Sequence, residues 1–154
     1  MSSILPSLTP DSGRAPVPPR FFTLEEANSL LPTIEALVRC LVATRQELRE
    51  HQQVLGEFRA RASRDGGVLP GSGIAQAKTE SARLLAEIHE GVREIESRGC
   101  VVKDLDQGLV DFLARRGRGQ VYLCWRLGEP EIRYWHGLEE GFAGRKPLED
   151  DPAE

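Results

Sequence analysis

Val121-Tyr122-Leu123-Cys124-Trp125-Arg126-Leu127-Gly128-Glu129-Pro130-Glu131-Ile132-Arg133-Tyr134-Trp135-His136 is the stretch that decides the fold class. In its first half Val121, Leu123, Trp125 and Leu127 alternate with Tyr122, Cys124 and Arg126, the period of a strand with one apolar face. Gly128-Glu129-Pro130 interrupts the run, and a second β-branched and aromatic segment, Glu131 to His136, follows. Two runs of the same texture lie upstream, Cys100 to Leu105 and Gly108 to Phe112, and Arg115-Arg116-Gly117-Arg118-Gly119 suits the hairpin between the second and third runs. The spacing predicts three to four short strands in a small antiparallel sheet.

Upstream of Gly99 the period changes. Thr23-Leu24-Glu25-Glu26 has the form of a capping box, in which the Thr23 hydroxyl and the Glu26 carboxylate each take the other's amide proton. Pro32 follows about two turns later, so the pattern predicts a short helix, a kink, then a long helix. Ile34, Leu41, Leu48 and Leu55 recur at sevens, with Leu37, Val38, Val42 and Phe58 widening the stripe. The glycine-rich segment 63–73 breaks the periodicity and predicts a turn. Ile74, Leu84, Leu85, Ile88, Val92 and Ile95 then supply a second stripe, and Gly99 fits a left-handed helix cap. Together these features predict an α+β fold, a long antiparallel helical hairpin packed on a small C-terminal sheet.

The 154 residues suit one domain with tails. The proline-rich segment 1–20 is expected to be a disordered leader, 21–148 the single domain (helical 21–99, strand-rich 100–148), and 149–154 a disordered acidic tail. A net charge of -4 gives no basic nucleic-acid surface, and the three arginines near Gly117 read as a solvated turn. Three cysteines without a CxxC pair argue against a disulfide scaffold, and the N-terminal segment has neither a basic region nor a long apolar run. A cytoplasmic setting, no membrane and no nucleic acid are therefore expected.

The chemistry turns on the parity of the turn after Leu127. An even turn places Ile132, Tyr134 and His136 on the face of Leu123 and Trp125, the better apolar match, and is the preferred reading. An odd turn sets Tyr134 opposite Cys124 and His136 opposite Tyr122, gathering polar groups on the other face. Cys100, Cys124, His136 and a carboxylate are donor types that zinc prefers, but their spacing matches no standard module and buried strand cysteines mostly pack as small hydrophobes. No metal and no cofactor are expected. A Cys124 nucleophile with His136 as base would also need an orienting third group and a lowered thiol pKa. Asp104 and Asp111 are unusual in strands; Lys103, Arg126 or Arg145 could pair with them, the alternative being a ligand or metal pocket. Gly141 to Arg145 reads as a chain returning to plug the core, or as a loop offering Phe142 and Arg145 to a ligand.

Phe22-Thr23-Leu24-Glu25-Glu26-Ala27-Asn28 with Leu30-Leu31-Pro32, the block from Val102-Lys103-Asp104 through Gly108-Leu109-Val110-Asp111-Phe112, Val121 to Pro130, Tyr134-Trp135-His136 and Gly141 to Leu148 resemble the prokaryotic family catalogued as domain of unknown function 2203. The likeness spans about 21–148. It departs from the family pattern at Leu113, where proline commonly follows the Gly108 to Phe112 segment. The resemblance implies a bacterial cytosolic setting without naming an activity. It marks Lys103, Asp104, Asp111, Cys124, Glu129, His136 and Arg145 as the candidate functional surface. The expected role is a non-enzymatic binding or assembly module whose hairpin self-associates, forming a homo-oligomer, or docks a protein partner. The alternative is a small enzyme or ligand-binding or metal-binding protein with its site in the strand-rich block.

Overall fold

The structure, a computed structural model, describes residues 20–64 and 71–148. Residues 1–19 of the expected leader, the acidic tail and most of the hairpin tip lie outside the described residues. Two helices, α1 (Leu24–Arg64) and α2 (Gly71–Glu96), precede five strands: β1 (Val101–Asp104), β2 (Leu109–Arg116), β3 (Gly119–Arg126), β4 (Tyr134–Gly137) and β5 (Lys146–Pro147). The strands form one antiparallel sheet in the order β1-β2-β3-β4-β5. The α+β class holds, with a short fifth strand beyond the three to four expected, formed where Lys146 and Pro147 return beside Trp135 and Tyr134.

The capping box forms: the Glu26 amide donates to Thr23 Oγ1 and the Thr23 amide to Glu26 Oε1, each at 3.1 Å. The expected break at Pro32 is absent, and α1 runs through it for 41 residues, about 61 Å at about 1.5 Å per residue. Pro32 lies on the exposed side of the helix, where water can serve a carbonyl deprived of its donor. Ile34, Leu41, Leu48 and Leu55 are all buried, as are Leu84, Ile88, Val92 and Ile95 of α2, so the two stripes face each other. Gly99 ends the second helix at φ +99°, the left-handed conformation a side chain resists.

One sheet face packs on the hairpin. Val102, Val110, Phe112, Ala114, Val121, Leu123 and Trp125 join the helical residues in one core, with Phe22 meeting Phe112 edge to face at 5.2 Å between ring centres. The preferred even register between β3 and β4 is wrong. Tyr122 pairs with His136 and Cys124 with Tyr134. The reason lies in Leu127 to Arg133, an odd number of residues. Ile132 does not extend the strand; it is buried beneath the sheet, and its amide donates to Asn28 Oδ1 at 2.8 Å. Ile132 and Trp135 thus supply the apolar contact that the even register would have given to Tyr134 and His136. Among the described residues, no helix is long and apolar enough to cross a membrane.

Candidate functional site

The odd register carries the consequence set out for it. On the sheet face away from the helices, Asp111 on β2 lies opposite Cys124 on β3, and Cys124 lies opposite Tyr134 on β4. One pair further along β3, His136 faces Tyr122, with the two rings 5.6 Å apart. The His136 side chain reaches over β3 to Asp111, placing Nε2 2.8 Å from Oδ2. Its Nδ1–H donates to the Gly137 carbonyl at 2.8 Å, which fixes the ring and turns Nε2 inward. A carbonyl holding the outer ring nitrogen is the support that metal-ligating imidazoles commonly have.

Asp111, Cys124 and His136 are each no more than 2% exposed. Their donor atoms, one carboxylate oxygen, Sγ and a ring nitrogen, all lie within 4.8 Å of one another. Asp111 Oδ1 is buried with no partner in hydrogen-bond geometry, although the Cys124 thiol is beside it. A buried carboxylate oxygen without a partner in good hydrogen-bond geometry is costly to a fold.

Burial is the main cause that raises the Asp111 pKa, working against the favourable neighbours His136, Cys124 and Lys103. Burial also pushes the Cys124 thiol up to about 12, with the Asp111 charge adding to the rise. The thiol is therefore protonated at neutral pH and is no nucleophile as it stands. The histidine is placed for a different task from that of a cysteine–histidine catalytic pair. There the second ring nitrogen is held by an acid and the first addresses the thiol, whereas here Nε2 addresses the acid.

The remaining expected residues surround this cluster or lie apart from it. Lys103 holds its ammonium 4.4 Å from the Tyr122 ring centre. Glu129 is more than a turn residue: its Oε1 accepts the Arg126 amide at 2.6 Å and the Arg145 guanidinium at 2.5 Å. Arg145 also donates to the Cys124 carbonyl at 3.3 Å and lies over Tyr134 and Phe142, so this pair braces the backbone that carries the thiol. The plug and the presenting loop were alternatives; the half-buried Phe142 and Arg145 here serve each other and β3. Asp104 does not join the site. Its Oδ1 accepts the Asp106 and Gln107 amides at 2.8 and 3.4 Å, closing the turn after β1, while Asp111 pairs with His136 and has Lys103 only as a favourable charge nearby.

Cys100 is also separate. Its buried thiol donates to the Ile95 carbonyl at 3.3 Å, and the donor cluster does not include it. Of the four donors weighed for zinc and set aside, Cys124, His136 and a carboxylate, Asp111, do come together, although no metal is expected from the sequence. Tyr134 and the Gly137 carbonyl belong to the site and were not among the candidates; the odd register is the only sequence signal that places them there. A second donor group among the described residues, Glu47, His51 and Glu80, lies on the outer surface of the hairpin, where Arg83 engages Glu80.

Comparison with curated proteins and with solved structures finds no match. The profile of the uncharacterised conserved proteins designated DUF2203 matches residues 20–148, which takes in the hairpin, all five strands and every residue of the buried cluster. The chain belongs to the DUF2203 family.

Proposed function

We propose that this chain is a metal-binding protein that holds a zinc ion through Asp111, Cys124 and His136. The observation that carries the reading is the convergence of three different donor types, buried and within 4.8 Å of one another, on one face of the sheet. A set of one sulfur, one nitrogen and one oxygen suits zinc, which accepts all three and tolerates a tetrahedral site with one position left for water or substrate. Zinc bond lengths imply donor separations of about 3.3 to 3.7 Å, so the Asp111–His136 contact would open by roughly half an ångström. A divalent ion would answer both electrostatic difficulties of the cluster, stabilising the thiolate and engaging the carboxylate oxygen that lacks a partner.

The test is elemental analysis with native mass spectrometry of protein purified without chelators. One zinc per chain is expected, lost in Cys124→Ser and in His136→Ala and retained in His51→Ala. Metal that follows His51 instead would assign it to the hairpin surface, and absence of zinc after exposure to excess metal and dialysis would overturn the reading.

A second reading keeps the hairpin as an assembly surface. Its support is that Val54 and Leu85 are 45% and 44% exposed on the two helices, and that α1 continues past Arg49, which still bonds to the sheet side at Asp106. Sedimentation velocity separates the outcomes: a concentration-dependent dimer lost in Val54→Glu favours assembly, and a monomer at all concentrations excludes self-association.

A further inference from the structure

A second, independent feature lies where α1 passes the turn between β1 and β2. A cleft of about 400 Å³ opens there, lined by the half-buried Val42 and Leu127 over the buried Leu105, and by Arg39, Arg45 and Arg49. The volume falls within the range of small-molecule sites. The three arginines line one cleft in a chain whose net charge is -4, so the cleft opposes the sign of the molecule as a whole. Among the described residues, Asp106 is the only acid lining it.

The arrangement already contains a bound carboxylate. Asp106 Oδ1 accepts from Arg45 Nε at 2.7 Å and also from Arg49, so two guanidinium groups share one oxygen. Arg39 also lines the cleft, with its side chain 63% exposed and paired with Glu35, which is not among the lining residues. Each guanidinium has five N–H groups, and one bond to Asp106 leaves most of the donors of Arg45 and Arg49 available. We propose that this cleft binds a small organic anion, a carboxylate or phosphate group on an apolar body. The anionic group joins the arginines beside Asp106, and the body lies against the half-buried Val42 and Leu127. Asp106 acts as an internal competitor, holding the guanidinium groups in place while limiting affinity.

The experiment is a two-dimensional NMR titration of the full chain with phenyl phosphate, benzoate and inorganic phosphate. Saturable shifts at Val42, Leu105 and Leu127 are expected with at least one aryl probe. Comparing phenyl phosphate with benzoate identifies the preferred head group, and weaker binding of inorganic phosphate than of phenyl phosphate assigns a share of the affinity to the apolar wall. Arg39→Gln, whose described partner is only Glu35, and Arg49→Gln should each weaken binding by about tenfold, the effect of one charge-assisted hydrogen bond. Asp106→Asn should tighten it several-fold, a gain that a purely structural Arg–Asp–Arg bridge would not produce. Absence of saturable shifts at these residues with both aryl probes overturns the proposal, as does binding that neither arginine variant weakens or that Asp106→Asn reduces.

Discussion

Removing Asp111 and His136 together should leave the metal-free protein about as stable as it is, although removing either alone should not. Both side chains are essentially buried, at 1% and 2% exposure, and they meet at 2.8 Å while Oδ1 lacks a partner. A buried pair of this kind is costly to desolvate. Breaking one half strands the other and costs about 3 to 5 kcal/mol, whereas replacing both by apolar groups of similar volume is about neutral or stabilising by up to about 4 kcal/mol. Against a total stability of about 5 to 15 kcal/mol these are large effects. The perturbations are Asp111→Val, His136→Phe and the double variant, followed by urea denaturation in the presence of chelator. Each single variant should lose about 3 kcal/mol or more, and the double should return to within about 1 kcal/mol of the parent or exceed it. Adding zinc at about a hundred times its dissociation constant should then stabilise the parent by about 2.7 kcal/mol and the double variant not at all. A double variant that loses the sum of the two single losses would refute the reasoning, because the two side chains would then act independently and neither would be stranded by loss of the other.

Two further outcomes test how the fold is made. Gly91 packs against the buried Leu41 of α1: a Cβ there would clash with Leu41 Cδ2, and Leu41 is 4% exposed. Gly91→Ala gains about 1 kcal/mol in helix propensity but overpacks the seam at a cost of about 1 to 3 kcal/mol, so a net loss is expected in urea melts, and a gain would contradict the packing of α1 on α2. At the start of α1, Thr23→Ala should cost about 1 kcal/mol. The Thr23 amide, the Thr23 hydroxyl and Arg20 hold the Glu26 pKa below its ordinary 4.5. A depressed folded value means stabilisation that is present above 4.5 and lost as pH falls through that lower value, so the stability difference between parent and Glu26→Gln should shrink in acid; a difference constant with pH would remove the capping carboxylate from this role.

Patterns confined to one element were legible in the sequence. The sevenfold spacing of Ile34, Leu41, Leu48 and Leu55 gave the buried stripe of α1, and Thr23 with Glu26 gave its start. Within α2 the buried stripe is narrower than the apolar pattern. Leu84 follows the line of Ile88, Val92 and Ile95, and Leu85 is turned about 100° from it and lies 44% exposed. What depended on the connection between elements was harder. A strand period of two makes one residue of turn length decisive, and the choice rested on matching Ile132, Tyr134 and His136 to Leu123 and Trp125. Ile132 satisfied that demand from within the loop, through Asn28 in α1, a contact across 104 positions that local pattern does not contain. The site inherits this difficulty. Asp111 and His136 occupy strands separated by β3, so their contact requires both neighbouring registers to be right. The seven candidates named from the strand-rich block contain all three residues of the cluster, but local pattern could not separate them from Asp104, which closes a turn, or from Glu129 and Arg145, which brace β3.

The most direct measurement is X-ray absorption at the zinc edge on protein loaded with one equivalent of zinc and freed of excess. A metal held by Asp111, Cys124 and His136 should give one sulfur at about 2.3 Å and nitrogen or oxygen neighbours at about 2.0 to 2.2 Å, with imidazole scattering that disappears in His136→Ala. A shell made only of oxygen and nitrogen, or one that is unchanged in Cys124→Ser, would contradict zinc binding on the sheet.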